Sequence, residues 1–344
     1  MERKYSIDFL RTLSMFGVLL LHIVGHSGFL EVISDSKDIT FYIVSFIMGC
    51  VRVAVPVFVI ITGYFGITLK IKKILKFEYK MLVYGFLAFI ISVLFNKSIN
   101  INLEDILKTI LPFSYNSWWF MTHYIVLVLF SPFLNILIKN INKKQHLILI
   151  LICFFLFNVI SSYSLDPIDT TGGYGFNNFI LLYLIGRYIR IYSPHTPYNK
   201  NRYLSFYLLF SLCILFSYVI YGSYKFATYN SILLLCSSIS IFCYFDSNNI
   251  KNKFFSHISP YVLSVYLITD SFHLRKIINS QIFNPCDYAS NLIVIFYIII
   301  YAIILFVVCV IIDYVVEKLL SNFFDKTTNF LLNKFKFLKI LDEI

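Results

Sequence analysis

Charged residues are scarce in this chain: Asp, Glu, Lys and Arg make up 14% of its 344 residues, whereas a soluble domain carries about a quarter. So few charges cannot cover a globular protein of this size, which argues strongly against a soluble enzyme. Glycine and proline are sparse too, with 12 and 8 residues. Their scarcity and the high apolar content exclude a collagen-like or disordered chain.

Cysteine patterns typical of disulfide frameworks or metal sites are absent. The seven cysteines lie mostly in apolar runs without a CxxC pair, as expected for small buried hydrophobic residues. HExxH, Walker and GxGxxG sequences are absent as well. His22 and His26 are one helical turn apart, but the sequence shows no third ligand near them. We therefore predict no metal site and no bound cofactor.

Apolar residues dominate instead: they make up 59% of the chain, which includes 37 Phe and 26 Tyr, and the mean hydropathy is +0.78. A membrane-spanning helix needs about 20 mostly apolar residues. The fold class predicted is all-α, a polytopic membrane bundle of ten transmembrane helices. The predicted spans are 9–29, 41–68, 81–95, 119–138, 147–162, 176–192, 203–221, 229–245, 258–274 and 291–315.

The distribution of Lys and Arg predicts the orientation. If the spans alternate from a cytoplasmic N-terminus, 22 of the 29 Lys and Arg residues lie inside, 6 lie outside, and Arg52 lies within a span. This bias predicts cytoplasmic N- and C-termini. The net charge of +11 then reflects orientation and attraction to anionic membrane lipid. Nucleic acid is not a predicted partner, because the basic residues are dispersed and no recognition motif is present.

The distribution of apolar and basic residues along the chain predicts two regions. Residues 1–315 form the transmembrane domain, whose first span is retained rather than cleaved as a signal peptide. Residues 316–344 alternate apolar pairs with lysine, which is typical of an amphipathic helix on the cytoplasmic membrane surface.

The first predicted span contains ionisable residues, which are costly in a membrane and by default indicate a functional site. Arg11 and His22 are eleven residues apart, or three helical turns plus about 20°, so both lie on one face about 16 Å apart. Asp8 is three residues before Arg11 and could pair with it. Each residue also has a structural interpretation: Arg11 as an anchor at the cytoplasmic interface, and His22 as an interhelical hydrogen-bonding residue.

Five sequence motifs occur along the chain in the same order as in a known protein family. The first is the Arg-x10-His pattern within IDFLR…LLLH. The others are VAVPVFVIITGYFGI (53–67), WWFMTHYIVLVLFSPFLNILI (118–138), GGYGFNNFILLYLIGRYIR (172–190) and SPYVLSVYLITD (259–270). Together they resemble the membrane acyltransferase-3 family, the integral membrane O-acyltransferases of bacterial surface polysaccharides, over residues 5–315. The chain departs from the family pattern at Thr269, where a histidine is often found, and at Thr62, where serine is common.

The resemblance implies an activity: transfer of an acyl group, usually acetyl, from cytoplasmic acyl-CoA to a hydroxyl of an exopolysaccharide, capsule or other cell-surface glycan. Acyl-CoA is then a donor substrate, the acceptor is a carbohydrate or lipid-linked glycan, and the location is the bacterial plasma membrane. His22 is the predicted general base, with transient acylation of its imidazole as the alternative. Arg11 would hold a CoA phosphate or orient the thioester, and Asp8 would orient Arg11.

Further site residues are predicted with an alternative beside each. Lys72, Lys73 and Lys76 would bind the CoA phosphates, although basic residues are expected after an inward-going span anyway. Arg52 within the second span would contact substrate or pair with an acid such as Asp270.

The outer ends of two spans supply the remaining candidates. Trp119 and Tyr124 would stack on sugar rings or belong to an interfacial aromatic belt. Asp270 and His273 would line the acceptor pocket, whereas His123 is predicted to be a local hydrogen-bonding residue.

Two other functions fit the same composition. A polytopic glycan transporter or polymerase would share the spans and the charge bias but would not require the aligned Arg11 and His22. A membrane sensor that has lost catalysis would be consistent with Thr269 at the usual histidine position.

Overall fold

The computed structural model of the chain describes residues 4–95, 102–163, 171–193, 200–221, 228–248, 250, 252–289 and 291–335. These residues are mainly helical and include no strand, which confirms the predicted all-α fold. The helices are α1 (Tyr5–His26), α2 (Phe29–Ser34), α3 (Ile39–Val51), α4 (Ala54–Phe65), α5 (Ile71–Phe95), α6 (Leu103–Ile110), α7 (Trp119–Asn140), α8 (Lys143–Phe154), α9 (Ser161–Tyr163), α10 (Phe176–Tyr192), α11 (Lys200–Tyr221), α12 (Ile232–Asp246), α13 (Phe254–Ile258), α14 (Leu263–Thr269) and α15 (Val294–Lys334).

Within the described residues, seven helical segments are long and apolar enough to cross a membrane. They are Tyr5–His26, Ile39–Phe65, Ile71–Phe95, Trp119–Asn140, Lys143–Ile160, Lys200–Ile220 and Val294–Lys334. The predicted spans 176–192 and 229–245 correspond to the shorter helices α10 and α12. The protein is thus a multi-pass membrane bundle, while the count of ten spans and their orientation remain predictions.

Helix α1 lies inside the bundle. Its most apolar window is 67% buried, whereas that of α11 is 11% buried, so α11 is peripheral and faces lipid. Helix α1 packs against α3, α4, α12, α13, α14 and α15. The polar residues of the first span are therefore surrounded by protein, as a membrane requires of ionisable groups.

Two predicted spans are interrupted. The helix predicted over 41–68 breaks at Arg52 and Val53, between α3 and α4. The span predicted over 258–274 begins at the last residue of α13 and continues as a turn and the seven-residue α14, and a π-helical turn follows at Ile277–Ile282. Irregular backbone at membrane depth is tolerated only where it is buried in protein or lines a cavity, so both breaks indicate an interior cavity.

The predicted boundary at residue 315 falls within a continuous helix. Helix α15 has 41 residues, which is about 60 Å of helix, against a hydrocarbon thickness of about 30 Å. It therefore extends well beyond the length that a membrane covers. The two-region division stays a prediction, and residues 336–344 of the predicted tail lie outside the described residues.

Helix α15 is attached to α5 by a buried ion pair. Lys80 Nζ lies 2.9 Å from Asp313 Oδ2 and 2.9 Å from Glu317 Oε1, and the side chain of Asp313 is fully buried. The Tyr84 hydroxyl also donates to Asp313 Oδ1 at 2.6 Å. The carboxylate of Asp313 thus receives a cation and a neutral donor, which offsets its desolvation.

Helices α4 and α10 approach closely because Gly63 of α4 and Gly186 of α10 each lie against the backbone of the other helix. A Cβ at Gly63 would overlap the carbonyl of Tyr183, and a Cβ at Gly186 would overlap the carbonyl of Ile60. Small residues at helix contacts permit such close packing in membranes, where van der Waals contact replaces the hydrophobic driving force.

We expect Gly186→Ala to lower the free energy of unfolding by about 1–3 kcal/mol, because the added methyl group forces α4 and α10 apart. Denaturant titration of the protein in detergent would measure this loss. Gly25→Ala is the matched control, since nothing lies within 4 Å of a Cβ at that position. Equal stability of the two variants would show that the α4–α10 contact is not close packed.

Candidate active site

A cavity of about 850 Å³ lies inside the bundle, within the usual range for small-molecule sites. One face of α1 lines it from Arg11 to His26, which is about 22 Å along the helix axis. Lys73 lines the cavity together with Arg11, and we call these two residues the basic end. Trp119, Tyr174 and Tyr229 also line it, and we call them the aromatic end.

Contacts outside the cavity show on which side of the bundle each of its two ends lies. Lys4, just before α1, pairs with Asp246 at the end of α12 at 2.6 Å. His26, at the other end of α1, lies beside Asp270. The start of α1 and the end of α12 therefore lie at one side of the bundle. Tyr229 of the aromatic end comes just before the start of α12, so the aromatic end lies towards the other side.

His22 is held by a hydrogen bond that defines the protonation of its ring. Its Nδ1 lies 2.8 Å from Thr269 Oγ1, and the Thr269 hydroxyl donates its single proton to the carbonyl of Val265 at 2.7 Å. When the hydroxyl donates to Val265 it accepts from the imidazole, and this arrangement assigns the ring proton to Nδ1. Nε2 of neutral His22 is left as a basic nitrogen, on a ring that lines the cavity.

His26 and Asp270 form a second contact beside His22. His26 Nε2 is 3.1 Å from Asp270 Oδ1, and the His22 and His26 ring centroids are 5.1 Å apart. The ligand atoms of His22, His26 and Asp270 lie within 4.8 Å of one another, close enough to hold a metal ion. The sequence showed no third ligand here because Asp270 is 244 residues from His26. The absence of a metal site stays a prediction.

Arg11 and Asp8 are paired as the sequence predicts. Arg11 Nη1 lies 3.4 Å from Asp8 Oδ1, and Ser259 Oγ donates to the same oxygen at 3.4 Å. The side chain of Asp8 is buried, whereas that of Arg11 is 36% exposed and lines the cavity. Asp8 therefore contacts Arg11 from a position outside the cavity lining.

The three lysines predicted to bind phosphate are separated by the fold. Lys73 lines the cavity. Lys72 pairs with Asp325 at 2.8 Å and Lys76 pairs with Glu317 at 3.0 Å, both on α15. The last two lysines thus belong with Lys80 in the contact between α5 and α15 and do not line the cavity.

The remaining predicted residues that line the cavity are Arg52, Trp119, Tyr124 and Asp270. Arg52 does so from the break between α3 and α4. The ring of Trp119 lies 4.5 Å from Tyr174 and 5.7 Å from Tyr229, between centroids. Asp270 contacts His26.

Trp118, His123 and His273 are not among the residues that line the cavity, and each has a hydrogen-bond partner elsewhere. Trp118 is buried and donates to the carbonyl of Leu267 at 3.1 Å, which joins α7 to α14. His123 contacts the Trp119 carbonyl at 2.8 Å, in agreement with its predicted local role. His273 contacts Thr109 at 3.0 Å and does not line the cavity.

Sequence reasoning missed the roles of Thr269, Tyr174 and Tyr229. Thr269 was noticeable only as a departure from a family pattern, and its contact with His22 joins residues 247 positions apart. Tyr174 lies within the motif at 172–190 and Tyr229 begins the predicted span 229–245, but nothing in the sequence distinguished them from the other tyrosines, of which the chain has 26 in total.

The acyltransferase domain that characterises the membrane acyltransferase-3 family matches residues 4–314. The match includes α1, both helix breaks and all the described residues that line the cavity. No curated protein and no solved structure matches the chain significantly. The chain therefore belongs to the membrane acyltransferase-3 family.

Proposed function

We propose that the protein transfers an acetyl group from acyl-CoA to a hydroxyl of an exopolysaccharide, capsule or other cell-surface glycan, at the bacterial plasma membrane. The observation that carries this proposal is the position of His22 and its hydrogen bond with Thr269. Its ring lines the cavity between the basic end and the aromatic end, and Thr269 leaves its Nε2 free to accept a proton.

The basic end of the cavity has the positive charges needed to bind the donor, acyl-CoA. CoA bears several phosphates, and guanidinium and ammonium groups bind phosphate through charge-assisted hydrogen bonds. Arg11 and Lys73 supply these groups, and Asp8 orients Arg11. With the phosphates at Arg11, the thioester of the extended CoA arm reaches along α1 towards His22.

The chemical step uses His22 twice. The acceptor hydroxyl gives its proton to Nε2 while its oxygen attacks the thioester carbonyl carbon, and the carbon–sulfur bond then breaks. The leaving CoA sulfur takes the proton back from Nε2. The products are an acetyl ester and CoA thiol, and His22 returns to its neutral state.

The aromatic end suits the acceptor. A sugar ring has an apolar face that packs on an aromatic ring, and Trp119 is the largest side chain among the described residues that line the cavity. The pair of His26 and Asp270 offers polar atoms next to His22, where the reacting hydroxyl must lie. In this proposal Trp119, His26 and Asp270 position the acceptor next to His22.

The proposal is tested by incubating the purified protein with acetyl-CoA, with and without cell-envelope glycan, and measuring CoA thiol. We expect thiol release that depends on the glycan. No release with acetyl-CoA or with longer acyl-CoAs would contradict the proposal and favour a transporter or sensor.

We expect Thr269→Val to lower kcat by about 10- to 100-fold, because the buried Nδ1–H of His22 loses its acceptor and the ring loses its fixed protonation. Thr269→Ser retains the hydroxyl and should keep most of the activity. The rates of CoA release by the two variants are compared at saturating acetyl-CoA. Equal rates would show that Thr269 does not position His22.

A further inference from the structure

Two histidines and one carboxylate converge on the wall of the cavity. His22, His26 and Asp270 all line it, and a ligand atom of each lies within 4.8 Å of the ligand atoms of the other two. The two histidines are one turn apart on α1, and Asp270 directly follows α14. Zinc binds imidazole nitrogen and carboxylate oxygen together, so the donor set of this cluster suits a zinc ion.

The separations within the cluster are close to those of a zinc site. Zinc binds nitrogen and oxygen ligands at about 2.0–2.2 Å, which places the ligand atoms of a tetrahedral site about 3.4 Å apart. His26 Nε2 already lies 3.1 Å from Asp270 Oδ1. The other separations are at most 4.8 Å, so they have to shorten by about 1.4 Å or less. Rotations of the side chains provide such a shift.

Hydroxyl groups hold two of the three ligands. The Thr269 hydroxyl lies 2.8 Å from Nδ1 of His22, so Nε2 is the nitrogen that remains available to a metal. The Tyr266 hydroxyl hydrogen-bonds the carboxylate of Asp270 and accepts from the backbone N–H of Phe120 at 3.3 Å. The histidines and carboxylates of metal sites are oriented by outer partners of this kind.

The cavity gives a metal ion access and a fourth ligand. Zinc with three protein ligands keeps an open position for water or a substrate group. His22, His26 and Asp270 line a cavity of about 850 Å³, which has room for a hydrated ion. Asp270 is the single carboxylate among the described residues that line the cavity, so the negative charge that attracts a cation lies at this cluster.

We propose that His22, His26 and Asp270 bind one zinc ion, and that this ion inhibits the proposed acetyl transfer. The metal occupies the lone pair of His22 Nε2, which otherwise accepts the proton of the acceptor hydroxyl. It also takes the place of the proton between His26 and Asp270, and neutral His26 then carries its proton on Nδ1.

The inhibitory effect rests on the proposed function, whereas the binding of zinc needs no substrate. The inference replaces the expectation, drawn from the sequence, that no metal site is present. That expectation lacked a third ligand, because Asp270 meets the two histidines only through the fold.

Metal binding is measured by isothermal titration calorimetry. The purified full-length protein in detergent is freed of metal with a chelator, dialysed, and titrated with zinc chloride or with magnesium chloride. We expect one tight zinc site per chain. Magnesium should not bind at the same concentration, because it prefers oxygen ligands and gives up its water reluctantly.

Variants identify the ligands. His22→Ala, His26→Ala and Asp270→Asn should each weaken zinc binding by about 100-fold or more, because each removes a ligand. Tyr266→Phe keeps all three ligands but removes the hydroxyl that orients Asp270, so it should weaken binding by about 10- to 100-fold and serves if a ligand variant does not fold. His257→Ala, at an exposed histidine outside the cavity lining, is the matched control and should bind zinc as the wild-type protein does.

Inhibition is measured as the acetyl ester formed from acetyl-CoA and glycan at increasing concentrations of free zinc. At ten times the dissociation constant, about nine-tenths of the sites hold metal, so ester formation should fall about 10-fold. Addition of a chelator should restore it.

Two results would overturn the inference. One is zinc binding that is absent, or that the three ligand variants leave unchanged, which would indicate an adventitious ion only. The other is undiminished ester formation while zinc occupies the site. Failure of the proposed function gives a different result, because no ester would then form even with the chelator present, although the titration would still show zinc binding that the ligand variants lose.

Discussion

Replacing His22 with alanine is expected to lower the rate of acetyl transfer by about 10²- to 10⁴-fold, the contribution of a positioned general base. The remaining wall of the cavity still binds donor and acceptor, but among the described residues no other imidazole contacts Thr269. We therefore expect the loss in kcat, with the KM for acetyl-CoA changed little. Initial rates of CoA thiol release by the purified variant would measure both constants.

The control for this variant is His257→Ala, because His257 is exposed on α13 and does not line the cavity. It should retain wild-type rates, and both variants should elute as the wild-type protein does in detergent. Transfer by His22→Ala at near the wild-type rate would show that another group removes the hydroxyl proton.

Neutralising Lys80 is expected to lower the free energy of unfolding by about 3–5 kcal/mol, the usual loss when one partner of a buried ion pair is removed. In Lys80→Met the neutral Tyr84 hydroxyl is the one partner that the fully buried carboxylate of Asp313 keeps among the described residues. Helix α15 should then separate from α5 at lower denaturant. Denaturant titration in detergent, followed by circular dichroism, measures the change.

The double variant Lys80→Met with Asp313→Leu separates the charge effect from the loss of packing. Because it leaves no unpaired charge at this position, it should recover most of the stability. Lys72→Met is the exposed control: both it and its partner Asp325 are about half exposed, so its effect should be about 1 kcal/mol or less. A double variant as unstable as Lys80→Met would contradict this explanation.

Local features of the site could be read from the sequence because they depend on helix geometry. The spacing of Asp8, Arg11 and His22 on one helix requires only a period of 3.6 residues, and the structure shows the Asp8–Arg11 contact. The placement of α1 inside the bundle follows from the same ionisable residues, since a membrane disfavours them on a lipid-facing surface.

Contacts between distant segments could not be read in this way. Asp270 meets His26 and Thr269 meets His22 only because α14 is short and ends beside α1.

The roles of the lysines after α4 likewise depend on contacts between distant segments, which the sequence does not reveal. Lysines that follow an inward-going span are predicted equally by orientation and by phosphate binding. The structure distinguishes them because the acidic partners of Lys72 and Lys76 lie on α15, more than 200 residues away. Of the three, only Lys73 remains in the proposed donor site.

The central claim, that the protein itself joins the acyl group of acyl-CoA to a glycan hydroxyl, is tested most directly by counting products. Purified protein is incubated with deuterated acetyl-CoA and acceptor glycan, and mass spectrometry measures the labelled esters while a thiol reagent measures CoA. We expect one labelled acetyl ester for each CoA thiol released. Thiol release without labelled ester, or neither product, would contradict the claim.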